Sequence, residues 1–358
     1  MTNIELGLDT FGDVTADAEG RLLPHARVLR DVIAEAELAD RVGVDFFGVG
    51  EHHRPDFAIS APEVLLAAIA GRTQRLRLGT AVTVLSSDDP IRVYQRFSTL
   101  NAVSNGRAEI ILGRGSFTES FPLFGYSLDD YEVLFEEKLA IFAALREADR
   151  TGRPVKWKGT VRPPLDGIRV FPPVENPPLS TWVGVGGSPQ SVMRAARYGF
   201  PLTLAIIGGD PRRFKPYVEL YQRALTQLGQ TSLPLGIHSP GHIAETDGQA
   251  REELWPAYQV MRNRIGAERG WGPTSRAEFD HEIAAGSLYV GSPETVARKI
   301  AATVSALGAS RFDLKYSAGT LGHEIMLRSI ELYGREVIPR VRQELGAQSL
   351  ELEAGSLG

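Results

Sequence analysis

The chain has 358 residues, 43% of them apolar and 23% charged, with a formal net charge of −5. This is the composition of a globular protein with a sizeable core, and the absence of a basic cluster argues against a nucleic-acid partner. There is no cysteine, which excludes disulfides, thiolate metal sites and thiol nucleophiles.

No apolar run approaches the ~20 residues of a membrane-spanning helix, and residues 1–8 lack the basic-then-apolar pattern of a secretory leader. The expectation is a cytoplasmic protein, away from membranes, that acts on a small molecule.

In chain order, short apolar runs alternate with segments of helical period. A strand at residues 4–9 precedes a helix that starts after His25, and Phe46, Phe47 and Val49 mark a second strand at 45–49. That strand ends abruptly in Glu51-His52-His53-Arg54. Adjacent residues of an extended chain point to opposite faces, so at most one of His52 and His53 faces a pocket. Two readings stay open: the histidines cap the strand, or one of them moves a proton near neutral pH.

A helix opens near Pro62, a third strand spans 76–84, and Pro90 opens a helix that runs to about Ser104. Asn105-Gly106 turns into a fourth strand at 107–113, which ends in Gly113-Arg114-Gly115. Small residues there let a flat ligand lie against the backbone, and Arg114 either meets a phosphate or forms a surface ion pair. A helix follows over about 129–148.

Residues 151–180 carry seven prolines and read as an irregular excursion. The fifth strand, 181–185, runs through Gly184 into Gly186-Gly187-Ser188-Pro189. That strand-to-helix junction offers free backbone amides to an anion, and Ser188 either bonds the ligand or caps the helix. No dinucleotide fingerprint occurs, because Pro189 stands where its third glycine would fall.

Strands at 202–207, 235–244 and 311–316 complete eight. The 259–289 segment breaks the alternation and reads as an insertion over the carboxyl face. A last helix covers about 321–343, so the barrel domain is 1–345 and 346–358 a flexible tail. Eight alternating units predict a single (βα)8 TIM-type barrel with insertions, whose chemistry sits at the carboxyl ends of the strands.

Taken together, Glu51-His52-His53, Gly79-Thr80-Ala81-Val82, the 90–106 helix with its Asn-Gly-Arg ending, Gly113-Arg114-Gly115 and Gly186-Gly187-Ser188-Pro189 resemble the bacterial luciferase-like family of flavin-dependent monooxygenases. The resemblance covers nearly the whole chain. It implies that the flavin ring of FMN lies in the barrel mouth, with a non-prolyl cis bond at Ala81-Val82 against the ring and with Gly113 and Gly184 among the cofactor-binding residues. The phosphate is implied near Arg114, Tyr131, Gly186, Gly187 and Ser188.

His52 is implied as the catalytic group beside the reactive edge of the flavin, held in place by Glu51 and His53. No metal is expected. The implied activity is oxidation of a small organic substrate by reduced FMN and oxygen through a flavin hydroperoxide. With no nicotinamide domain visible, a separate reductase is expected to supply the reduced flavin, and the resemblance suggests a homodimer.

Glu132 departs from the pattern, standing where the luciferase carries a second phosphate-directed arginine. Gly113 replaces a reactive thiol, so light emission is not implied. Phe117, Phe121 and Phe124 suggest an apolar substrate or a packed loop. The alternatives are a deazaflavin-dependent reductase or dehydrogenase on the same barrel, a flavin-binding barrel without catalysis, and a sugar-phosphate lyase or isomerase.

Overall fold

The computed structural model describes residues 4–355 except 18 and 177, with side chains described as far as 348. The strands are β1 (Glu5–Thr10), β2 (Phe46–Val49), β3 (Arg77–Thr80), β4 (Thr83–Val84), β5 (Glu109–Gly113), β6 (Val155–Trp157), β7 (Leu165–Ile168), β8 (Ser180–Val185), β9 (Leu202–Ala205), β10 (Leu235–Ile243), β11 (Tyr289–Gly291) and β12 (Arg311–Lys315). The helices are α1 (His25–Val42), α2 (Pro62–Ala70), α3 (Pro90–Val103), α4 (Ser120–Phe124), α5 (Tyr131–Thr151), α6 (Pro189–Arg197), α7 (Lys215–Gln227), α8 (Asp247–Arg269), α9 (Arg276–Ala284), α10 (Pro293–Leu307), α11 (His323–Leu332) and α12 (Ile338–Gly355).

Parallel strands run in the order β3-β2-β1-β12-β10-β9-β8-β5-β4. A parallel bridge between Leu78 and Ala108 brings β3 beside β5, so the barrel is nearly closed. The sequence dictates this locally. Strands buried on both faces read as short apolar runs, and helix starts carry their own signals. Asp89 accepts the amides of Ile91 and Arg92 ahead of Pro90, and Ser292 caps α10 ahead of Pro293.

The amino end of the barrel is filled. Arg311 is fully buried, ion-paired to Glu109 and to Asp313 (Nε–Oδ2 2.8 Å), and its guanidinium lies 3.6 Å from the Phe46 ring centroid and 5.1 Å from that of Trp182. Burial pushes the Asp313 carboxyl up to about 6 despite its Arg311 partner. Gly7 leaves the room this cluster needs, because a Cβ there would sit 2.2 Å from Asp313 Oδ1.

Four expectations are corrected in detail. The third strand is interrupted at Ala81-Val82, a cis peptide bond, and resumes as β4. The proline-rich excursion contains an antiparallel hairpin, β6–β7. The 259–289 insertion is largely helical, formed by the end of α8 and by α9. Helix α12 continues to Gly355, where a loose tail was expected, and 356–358 lie outside the described residues.

Candidate active site

The tip of β2 is built around Glu51. One carboxylate oxygen, Oε2, accepts the buried Val84 amide at 2.8 Å, and the other pairs with His53 Nε2 at 2.9 Å. Residues 51 and 53 share a face of the extended chain, which turns His52 the other way. Its ring packs against Phe57, Phe11 and Phe117 at centroid distances of 4.5, 4.7 and 5.3 Å, and its amide donates to the Ile59 carbonyl at 2.9 Å. Glu51 and His53 therefore brace each other and β4, not the His52 side chain as expected. Burial lowers the His52 pKa to about 3 in spite of the nearby Asp13 carboxylate, so this imidazole is neutral at physiological pH.

Beside this tip lies a wall of glycines fitted to Val82. A Cβ on Gly113 would stand 2.4 Å from Val82 Cγ2, and one on Gly184 would stand 3.0 Å from Val82 Cγ1. The Val82 side chain thus fills the space that two side chains would otherwise occupy. Glu51 joins the wall to the β2 tip, because its own amide donates to the Val82 carbonyl at 3.3 Å while its carboxylate holds Val84. Gly186 has no heavy atom within 4 Å of where a Cβ would project, and Gly187 adopts φ +105°, a conformation that favours glycine.

Of the residues expected at the phosphate end, Arg114 and Tyr131 lie together, whereas Ser188 bonds within its own helix start. Ser188 caps α6, its Oγ accepting the Ser191 amide at 3.3 Å and donating to Gln190 Oε1 at 3.0 Å. Tyr131 donates to the Gly115 carbonyl at 2.9 Å, and the Arg114 guanidinium lies 5.3 Å from its ring centroid. Arg114 itself is ion-paired to Glu132. Arg194 on α6 reaches the same carboxylate at 3.2 Å and Glu136 at 2.5 Å. Nothing in the local sequence around Arg194 marks it, since its partners lie 58 and 62 residues away.

A cavity of about 390 Å³ opens next to the β2 tip, lined by Asp13, His53, Arg54, Asp56, Phe57, Glu119, Met261, Arg264, Glu268 and Gly319 among others. Neither His52 nor any residue expected to bind the cofactor lines it; His53, expected to hold His52 in place, does, and Phe57 stands between the cavity and the His52 ring. Arg54 binds Asp56 at 3.0 Å, Glu119 at 2.5 Å and Glu268 at 2.8 Å, tying the β2 tip to the loop before α4 and to α8. The insertion therefore does lie over the carboxyl face.

Asp13 also pairs with Lys315 at 2.9 Å. Burial pushes the Asp13 carboxyl up, but Lys315 and Ser317 outweigh burial and hold it below its ordinary value. Of the three loop phenylalanines, Phe121 is buried against Tyr131, Phe117 packs on His52 and Arg54, and Phe124 is half exposed against His53. The charged lining does not match a wholly apolar pocket.

Among the described residues, no cluster of three or more His, Asp or Glu side chains is arranged to hold a metal ion, and no helix is long and apolar enough to cross a membrane.

The whole is a TIM-type barrel with a glycine wall, a buried histidine and an arginine pair towards the carboxyl ends of its strands. The model of one family, Luciferase-like monooxygenase, matches residues 10–311, and the chain belongs to that family. Among relatives, it is 27% identical to 4-hydroxyprotoasukamycin monooxygenase of Streptomyces nodosus subsp. asukaensis, over 87% of this chain and 86% of that one. It is 26% identical to limonene 1,2-monooxygenase of Rhodococcus erythropolis, over 87% and 81%.

The solved structures give the same fold. Monooxygenase RslO1 of Streptomyces bottropensis superposes with a TM-score of 0.81 at 23% identity, over 94% of this chain and 99% of that one. The FMN complex of the oxygenating constituent of 3,6-diketocamphane monooxygenase from Pseudomonas putida, a type II Baeyer-Villiger enzyme, gives 0.74 at 20%, over 95% and 99%. An F420-dependent secondary alcohol dehydrogenase gives 0.71 at 18%, over 95% and 99%.

Proposed function

We propose that this protein is a flavin-dependent monooxygenase that takes reduced FMN from a separate reductase and oxidises a small organic substrate with oxygen. The observation that carries the reading is the wall where Val82 interlocks with Gly113 and Gly184 beside a neutral His52. A flat ring fits such a wall, and an anion fits the corner where Arg114 and Arg194 converge and a buried Arg194 nitrogen lacks a partner.

In this reading Ala81, Val82, Gly113 and Gly184 hold the ring, while Arg114, Tyr131, Gly186, Gly187 and Ser188 serve the phosphate end. Reduced FMN, when bound, supplies the oxygen-activating chemistry. The protein supplies the rest. Phe11, Phe57 and Phe117 keep water from one side of the site, and the neutral His52 imidazole offers one donor and one acceptor nitrogen to hold or pass a proton without bringing a charge. The 390 Å³ cavity beyond Phe57 receives the organic substrate.

Anaerobic titration with reduced FMN followed by an oxygen pulse tests the reading. Binding of the reduced form and a long-lived absorbance distinct from oxidised FMN are expected. If reduced FMN does not bind and a reduced deazaflavin does, the deazaflavin-dependent alternative takes its place.

A further inference from the structure

Arg114, just past β5, and Arg194, in the last turn of α6, come from different strand-helix units, and between them they meet the two oxygens of one carboxylate at the amino end of α5. Glu132 pairs with Arg114 through Oε1 and with Arg194 through Oε2, at 3.2 Å for the latter. This is how a doubly acceptor anion sits between two guanidinium forks. The two arginines are unequally served. The Arg194 side chain is 9% exposed and its Nη1 is buried without a partner, an arrangement disfavoured by the lost hydration of that donor. Glu132, in contrast, is 62% exposed in the first turn of α5, where a carboxylate is readily returned to water.

We propose that Arg114 and Arg194 form the seat for the cofactor phosphate and that Glu132 is a built-in counter-ion which occupies this seat and is displaced when the phosphate arrives. The inference rests on the flavin reading above for the identity of the ligand, although the seat itself rests on the geometry alone. Displacement does not strand Arg194, because Glu136 keeps its Nε at 2.5 Å. It exchanges one carboxylate, which becomes solvated, for a group with three acceptor oxygens and a larger negative charge.

Arg194 thus supplies from α6 the second cation that position 132 does not supply from α5. Competition by Glu132 also weakens retention of the cofactor, as suits a flavin that exchanges with a reductase.

Titration of FMN and of riboflavin, which lacks the phosphate, into wild type, Glu132→Gln and Arg194→Lys tests this by calorimetry. Glu132→Gln is expected to tighten FMN about fivefold to tenfold, from removal of a partly exposed competing charge, and to leave riboflavin unchanged. Arg194→Lys keeps the charge but loses the planar fork, and is expected to weaken FMN about tenfold with no effect on riboflavin. Equal FMN affinity in wild type and Glu132→Gln overturns the proposal while leaving the flavin reading in place.

A second arm uses inorganic phosphate, followed through the ¹⁵N signals of the arginine side chains. Phosphate that perturbs Arg194 more strongly in Glu132→Gln than in wild type supports the seat even when no flavin binds, in which case the flavin reading fails instead. Phosphate that leaves Arg194 unperturbed in both proteins overturns the seat.

Discussion

His52 is held neutral by the fold, and this makes it a source of acid instability that one substitution removes. An imidazole in the unfolded chain titrates near 6.5, whereas in the folded protein burial lowers the value to about 3. A lowered histidine pKa means that the unfolded chain takes up the proton first. Stability is therefore complete above the unfolded value and falls as the pH drops through the window from about 6.5 to about 3.

The slope for one group is about 1.4 kcal/mol per pH unit, so acidification to about pH 5 crosses one and a half units and removes at most about 2 kcal/mol. His52→Gln keeps a polar side chain of similar length and cannot titrate. Urea unfolding at about pH 7.5 and about pH 5 should show wild type losing about 1–2 kcal/mol more than the variant across that interval. Other groups that titrate there, Asp313 at about 6 among them, change equally in both proteins and cancel. The same loss in both, within about 0.5 kcal/mol, would refute a His52 kept neutral by its surroundings.

Two further substitutions probe the frame of the site. Glu51→Ala removes the acceptor of the buried Val84 amide and the partner of His53, and should lower unfolding free energy by about 1–3 kcal/mol; a change within about 0.5 kcal/mol in urea would show that β4 does not depend on it. Gly113→Ala drives a Cβ to 2.4 Å from Val82, against 3.0 Å for Gly184→Ala. The first should cost about 1–3 kcal/mol and the second less, with Val82→Ala restoring part of the Gly113→Ala loss; additive effects of the pair would contradict the interlock.

The barrel was readable because each parallel strand is buried on both faces and therefore appears as a short apolar run between helical segments. The hairpin β6–β7 was hidden because its short strands lie among seven prolines. Helix α8 was not read at all for a similar reason, since Pro256 falls inside it and few of its residues are buried.

At the site, alternation along an extended chain separates His52 from His53, but it is His53 that lines the cavity, while the His52 ring packs among Phe11, Phe57 and Phe117. The same rule, carried one residue further, places Glu51 and His53 on one face and accounts for their pairing. Arg194 and Asp13 were beyond reach. Their importance depends on the contact of α6 with α5 and of β12 with the loop after β1, and such long-range pairings leave no local pattern.

The packed amino end of the barrel has a consequence for traffic. With Arg311, Glu109, Asp313, Phe46 and Trp182 filling the interior, the barrel is packed shut at its amino end, and its carboxyl end is crossed by the loops that Arg54 ties to α8. On the proposed reading, a flavin at the glycine wall and an organic substrate would then share one route in and out, through the carboxyl end, so that traffic of each is subject to the same crossing loops.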